Sequence, residues 1–181
     1  MTHFLVYVIV RGEGRVKEIE ELLAPFDENM EAEPRKEYIK GEELESMSNF
    51  YKLPIEDLNS LKNKMKDWKG KNGYIDEKGL YYYSTYNPYS KWDWYEIGGR
   101  WNESIEGKNI IKVSDFFKLK NIEEYLEPVA ILTPDGIWYE VGKQGWFGYV
   151  GKENEELWSE QVLIILQKYE DCSIVVVDCH I

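Results

Sequence analysis

Seven consecutive apolar residues, Phe4-Leu5-Val6-Tyr7-Val8-Ile9-Val10, constrain this chain more than any other stretch. The run is far too short to span a bilayer and has no polar alternation. It therefore reads as a strand buried on both faces, ending in the Arg11-Gly12-Glu13-Gly14 turn. A second buried strand, 174–177, stands near the other extremity. Strand and helix at the start, hairpins in the middle, and helix and strand at the end describe an α+β domain. The expected architecture is a mostly antiparallel sheet with helices on one face, a ferredoxin-like core whose two terminal strands pair at the centre, with central hairpin insertions. The alternative is a two-layer sandwich whose central hairpins form a separate small sheet. At 181 residues the chain fits a single domain, 1–181, with 41–71 as a helical insertion.

Between the two runs, Val16, Ile19, Leu22 and Leu23 share one helical stripe that Pro25 ends. Residues 33–39 read as a strand near an edge, because Pro34 cannot donate to a ladder. Helices are expected over 41–50 and 55–68, the second opened by Pro54. Turn residues at 76–79 and 133–136 place hairpins over 73–86 and 129–141. Residues 103–106 read as strand, and Ser114-Asp115 as the cap of a short helix through Phe116 and Phe117. Gly142, Gly145, Gly148 and Gly151 surround Trp146, either as a loop passing close to a ligand or as room for aromatic packing. Asn154 is the expected cap of a long helix to about Tyr169.

A formal charge of −12, from 34 acids against 22 bases, disfavours a protein that wraps nucleic acid by neutralising phosphates. The lysines at 62, 64, 66, 69 and 71 read as the solvated side of a helix. No stretch reaches transmembrane length, and the first residues lack the basic region and cleavage site of a signal peptide. Cys172 and Cys179 flank a strand whose rise separates them by roughly 20 Å, so they cannot bridge, and a cytoplasmic setting is expected. Seven Trp, fourteen Tyr and six Phe make the interior rich in flat, polar-tipped side chains, which also line pockets well.

Those rings concentrate in 87–101, Asn-Pro-Tyr-Ser-Lys-Trp-Asp-Trp-Tyr-Glu-Ile-Gly-Gly-Arg-Trp. One reading is a site: Gly98 and Gly99 allow a tight bend, and a guanidinium among indoles grips a planar anion by cation–π stacking and bidentate hydrogen bonds. The candidate ligand-binding residues are Lys91, Trp92, Asp93, Trp94, Arg100 and Trp101, with Trp146. The other reading is packing, with Trp92 and Trp94 on the inward face of a strand and Arg100 paired to Asp93 or Glu96.

The two histidines, His3 and His180, lie at opposite extremities. Antiparallel pairing of the terminal strands would bring both imidazoles to one sheet edge. Asp178 lies two residues before His180 and so shares its face. His3, Asp178 and His180 are thus candidate catalytic residues, and equally two histidines and a carboxylate that could hold a divalent metal. Structural hydrogen bonding is the third possibility for the set. Nucleotide-binding glycine loops, nucleophile elbows, paired Cys-x-x-Cys and His-Glu-x-x-His are absent from the sequence.

Several segments together resemble a family of uncharacterised bacteriophage and bacterial proteins. They are the region of His3, Pro25-Phe26-Asp27-Glu28-Asn29, Asn87-Pro88, Ser90-Lys91-Trp92-Asp93-Trp94-Tyr95 and Ile97-Gly98-Gly99-Arg100-Trp101. Asp135-Gly136 with Trp138, Gly145-Trp146 and the Asp178-Cys179-His180-Ile181 end complete the set. The resemblance spans nearly the whole chain, and it implies a phage or prophage origin and a role in conflict between phage and host. Three functions fit the residues. The first is a small-molecule binding protein for a nucleotide-like anion, acting as an antagonist of host defence signalling. The second is a metal- or His-dependent hydrolase of a phosphate-containing substrate, and the third a protein-interaction domain with an aromatic face.

Overall fold

The computed structural model describes residues 2–12, 16–125, 127–141 and 152–181. They form two compact units, Met1–Met30 with Tyr89–Ile181, and Glu31–Pro88. The expected helical insertion, 41–71, lies within the second unit, which also has a sheet of its own.

In the first unit β1 (His3–Val10) pairs antiparallel with β9 (Ser173–His180), from His3 opposite His180 to Val10 opposite Ser173. On its other side β1 pairs with β7 (Ala130–Leu132), which forms a hairpin with β8 (Trp138–Glu140). The outer edge of β9 carries β5 (Trp94–Ile97) and β6 (Ile110–Lys112) in succession. All these pairings are antiparallel except β1 with β7, so the fold is α+β with a mostly antiparallel sheet. The parallel pair is a departure from a ferredoxin-like sheet, in which a split β-α-β unit leaves a third strand between its parallel partners.

The helices expected on one face are instead divided between two. Tyr7, Ile9, Ile174 and Val176 pack with α4 (Val113–Phe116) and with Trp158, Val162, Ile165 and Leu166 of α5 (Lys152–Gln167). Val6, Val8, Val10, Val175, Val177 and Cys179 pack with Ile19 and Leu23 of α1 (Val16–Leu23). The reason lies in the sequence: β1 and β9 are apolar on both sides, and each fully buried Val or Ile contributes about 1.5–3 kcal/mol, so both faces demand cover. Two apolar faces leave alternation unable to fix the register, since a one-residue slip exchanges one apolar set for the other. The polar end distinguishes the two, because the observed register sets Asp178 and His180 on the face of His3, which a one-residue slip would undo.

Residues 103–106 form turns around a single isolated bridge, Ile105 to Lys108, where strand is expected, with Glu103 and Glu106 at positive φ. The cause is a loop extruded from the sheet edge. Gly98 N–H donates to the Val176 carbonyl and Val176 N–H to the Asn109 carbonyl, each at 2.8 Å, so the chain leaves and rejoins β9 at one residue. Helix α5 begins at Lys152, before Asn154. The glycines at 142–151, with Trp146, lie outside the described residues.

The second unit orders β2 (Arg35–Tyr38), β4 (Gly79–Ser84) and β3 (Tyr74–Asp76) into an antiparallel sheet, with β4 central. Its core joins Ile39 and Leu80 to Met47 of α2 (Gly41–Tyr51) and to Leu61 and Met65 of α3 (Leu58–Lys69). Helix α3 starts later than Pro54 suggests, because Asp57 is the cap: its Oδ1 accepts from Ser60 N–H at 3.1 Å. No helix among the described residues is long and apolar enough to cross a membrane.

Three buried or half-buried acids hold their protons in the folded state. Burial pushes the Tyr7 hydroxyl and the Cys179 thiol well above their ordinary values, and burial with a hydrogen bond to Glu37 raises Tyr82 to about 12. Unfolded, these groups ionise near their reference values of 10.0 and 9.0, so above about pH 9 the unfolded chain binds fewer protons than the native one. Stability is therefore expected to be full below about pH 9 and to fall as pH rises beyond it. Urea midpoints measured from about pH 8 to about pH 10.5 check this, and a flat or rising trend refutes it.

Candidate active site

The paired chain ends build the site. His3 opens β1, and Asp178 and His180 share its face of the sheet, the face on which Tyr7 and Val176 point into the α4–α5 core. Asp178 is 1 % exposed. Its carboxylate accepts from His3 Nδ1, at 2.9 Å to Oδ1 and 3.1 Å to Oδ2, and from the backbone N–H of Arg100, at 3.0 Å to Oδ2. Those donors compensate the burial of a charge that would be costly alone. The Arg100 amide reaches Asp178 because Gly99, at φ +48°, has no side chain: a Cβ there would stand 2.6 Å from Oδ2.

His180 has a carboxylate of its own. Asp93 Oδ1 lies 2.6 Å from His180 Nδ1, and Asp93 N–H donates to the His180 carbonyl at 2.9 Å, so the pair is held by side chain and backbone together. The turn after α1 fixes Asp93 in turn. Lys91 N–H donates to the Phe26 carbonyl at 2.8 Å, Glu28 N–H to the Trp92 carbonyl at 2.7 Å, and Asn29 Nδ2 to the Asp93 carbonyl at 3.2 Å. The turn at Asp27 and Glu28 is thus the brace of the 91–93 segment.

The two imidazoles stand edge to face, ring centres 5.1 Å apart at 74°. Carboxylates only accept, so each Nδ1 carries a proton, and the tautomer so fixed presents Nε2 as the nitrogen that gives or takes a proton. Neither Nε2 has a hydrogen bond among the described residues. Two oriented bases side by side can exchange protons with a substrate held between them, one neutral and one protonated.

Among the described residues, the side chains expected to line an aromatic pocket are not gathered in one place. Trp94 lies opposite His180 in register, 47 % exposed, its ring centre 6.1 Å from that of His3. Trp92 is turned away: it is 7 % exposed, packs on the α1 face, and donates Nε1–H to the Leu23 carbonyl at 3.2 Å. The bend at Asp93 separates two tryptophans that a continuous strand would align. Lys91 is likewise occupied, Nζ lying 2.9 Å from Glu140 Oε1, while Trp138 Nε1 donates to the other oxygen at 3.0 Å. Trp101 is half-buried against the α4–α5 core, and Trp146 is outside the described residues. Arg100 is exposed, and its guanidinium makes no ion pair among the described residues.

The three-residue metal set is not assembled either. Among the described residues no group of three or more His, Cys, Asp or Glu side chains is arranged to hold a metal ion. Asp178 sits behind His3, with its oxygens taken by the imidazole and the Arg100 amide, which makes it an orienting group. Asp93, a candidate ligand contact in the sequence, stands instead beside His180 as its carboxylate partner. Its neighbour in the sequence, Trp94, gives no sign of that pairing. No family model, no curated protein and no solved structure matches this chain.

Proposed function

We propose that the chain is a hydrolase that cleaves a phosphate ester by paired histidine acid–base catalysis. The observation that carries this reading is the pair of Asp–His couples, His3 with Asp178 and His180 with Asp93, whose rings meet at 5.1 Å. In the reaction one neutral imidazole takes a proton from water through Nε2 as the water oxygen bonds to phosphorus. The other imidazole, protonated, gives its proton to the leaving oxygen as the P–O bond breaks. The products are an alcohol and a phosphate with one ester bond fewer, and solvent returns each ring to its starting state. Each carboxylate keeps its imidazole in the tautomer that presents Nε2 and stabilises the cation while it exists.

Hydrolysis of bis(4-nitrophenyl) phosphate by the purified protein tests this. Turnover that survives EDTA and follows a bell-shaped pH profile is expected, since one ring must be neutral and the other protonated. No turnover, or turnover abolished by the chelator, refutes the reading.

A second reading is favoured by the exposed Trp94 and by the exposed Arg100 guanidinium. In it the protein binds and sequesters a nucleotide-like anion without turnover, and the resemblance to phage proteins would make it an antagonist of host defence signalling. Titration calorimetry against a nucleotide panel separates the two, because tight binding with no product formed supports only this one.

A further inference from the structure

Resting on the hydrolytic reading above, we infer that the substrate is a nucleoside phosphodiester, a monoanion whose base stacks on Trp94 while its phosphorus lies over the two imidazoles. Two independent observations lead there. The first is the indole. Trp94 is opposite His180 in the sheet, on the face of the imidazoles and next to His3, yet it is nearly half exposed. At a catalytic pair that ring is a flat surface for a planar group, and stacking tolerates any base.

The second is the charge around the pair. Asp178 and Asp93 contact the imidazoles, and Glu96, exposed, lies opposite Asp178 in register on the same face. Arg100, whose backbone N–H binds Asp178, is the exposed cation of this segment, the Lys91 ammonium being held by Glu140. Three carboxylates against one guanidinium and a single protonated imidazole disfavour a phosphate monoester, whose second negative charge doubles each repulsion. A diester, with one negative charge, is matched by the guanidinium and the imidazolium. The acidity that argues against binding nucleic acid through many phosphates thus selects a small ligand with one.

The test compares three substrates sharing a leaving group: thymidine 5′-(4-nitrophenyl) phosphate, methyl 4-nitrophenyl phosphate and the monoester 4-nitrophenyl phosphate. The protein is expected to prefer the thymidine diester to the methyl diester in kcat/KM by roughly 5- to 150-fold, the range that base–aromatic stacking supplies. It should turn over the monoester most slowly. Trp94→Ala should bring the thymidine-to-methyl ratio towards one, and Trp94→Phe should keep part of it; circular dichroism confirms that both fold. Equal turnover of the two diesters, an unchanged ratio in Trp94→Ala, or a preference for the monoester overturns the inference while leaving the hydrolytic reading standing. Absence of turnover with all three removes the hydrolytic reading, and the inference with it.

Discussion

His180→Ala is expected to lower kcat/KM for phosphodiester hydrolysis by roughly 10²- to 10⁴-fold, the usual contribution of a positioned acid or base. The variant should remain folded, because its partner Asp93 is part-exposed and water can replace the lost donor. His3→Ala is expected to cost as much activity and also stability. It leaves Asp178, 1 % exposed, with the Arg100 amide as its remaining donor among the described residues, and an under-satisfied buried group costs about 1–3 kcal/mol. If both rings act in one proton-transfer step, the double variant should be little slower than either single one. A His180→Ala protein of native-like circular dichroism and unchanged kcat/KM would show that the pair is structural.

Gly99→Ala is expected to be the most damaging single methyl in the site. The residue sits at φ +48°, where a Cβ costs about 1–2 kcal/mol, and the methyl would meet the Asp178 carboxylate, adding roughly 1–3 kcal/mol of overpacking. Together these lower unfolding stability by about 2–5 kcal/mol, and displacement of Asp178 releases His3, so activity falls too. Gly136→Ala is the matched control. Its φ is +75°, but nothing lies within 4 Å of an added Cβ, so only the backbone cost applies. Urea unfolding of the two variants separates the contributions, and equal losses would mean that Asp178 does not hold Gly99 at close range.

Both predictions concern contacts that the sequence makes legible to different degrees. The meeting of His3 and His180 follows from two apolar runs at the extremities and from antiparallel geometry, and the register places them opposite one another. The hairpins follow from turn chemistry at Asp76–Gly79 and at Thr133-Pro134-Asp135-Gly136, which acts within a few residues and needs no distant partner. Local signals mislead where a distant partner intervenes. Residues 103–106 look like strand, but Val176 is already bonded to Gly98 and Asn109, which leaves the segment between them no place in the ladder. Trp92 and Trp94 share a face only if the strand continues, and the bend at Asp93 interrupts it.

The sequence by itself determined that the chain is α+β, that its central strands are buried on both sides, and that its imidazoles share an edge. Periodicity and apolar runs carry that information, because burial is non-directional and reads directly from residue type. Only the tertiary structure decided which carboxylate serves which imidazole. With 34 acids in the chain, composition cannot single out Asp93 for His180, 87 positions away, or show that Gly99 must yield its side-chain space to Asp178. Hydrogen bonds are short and directional, so their partners are set by where the backbone passes, and the backbone's path is fixed by the packing of the whole unit.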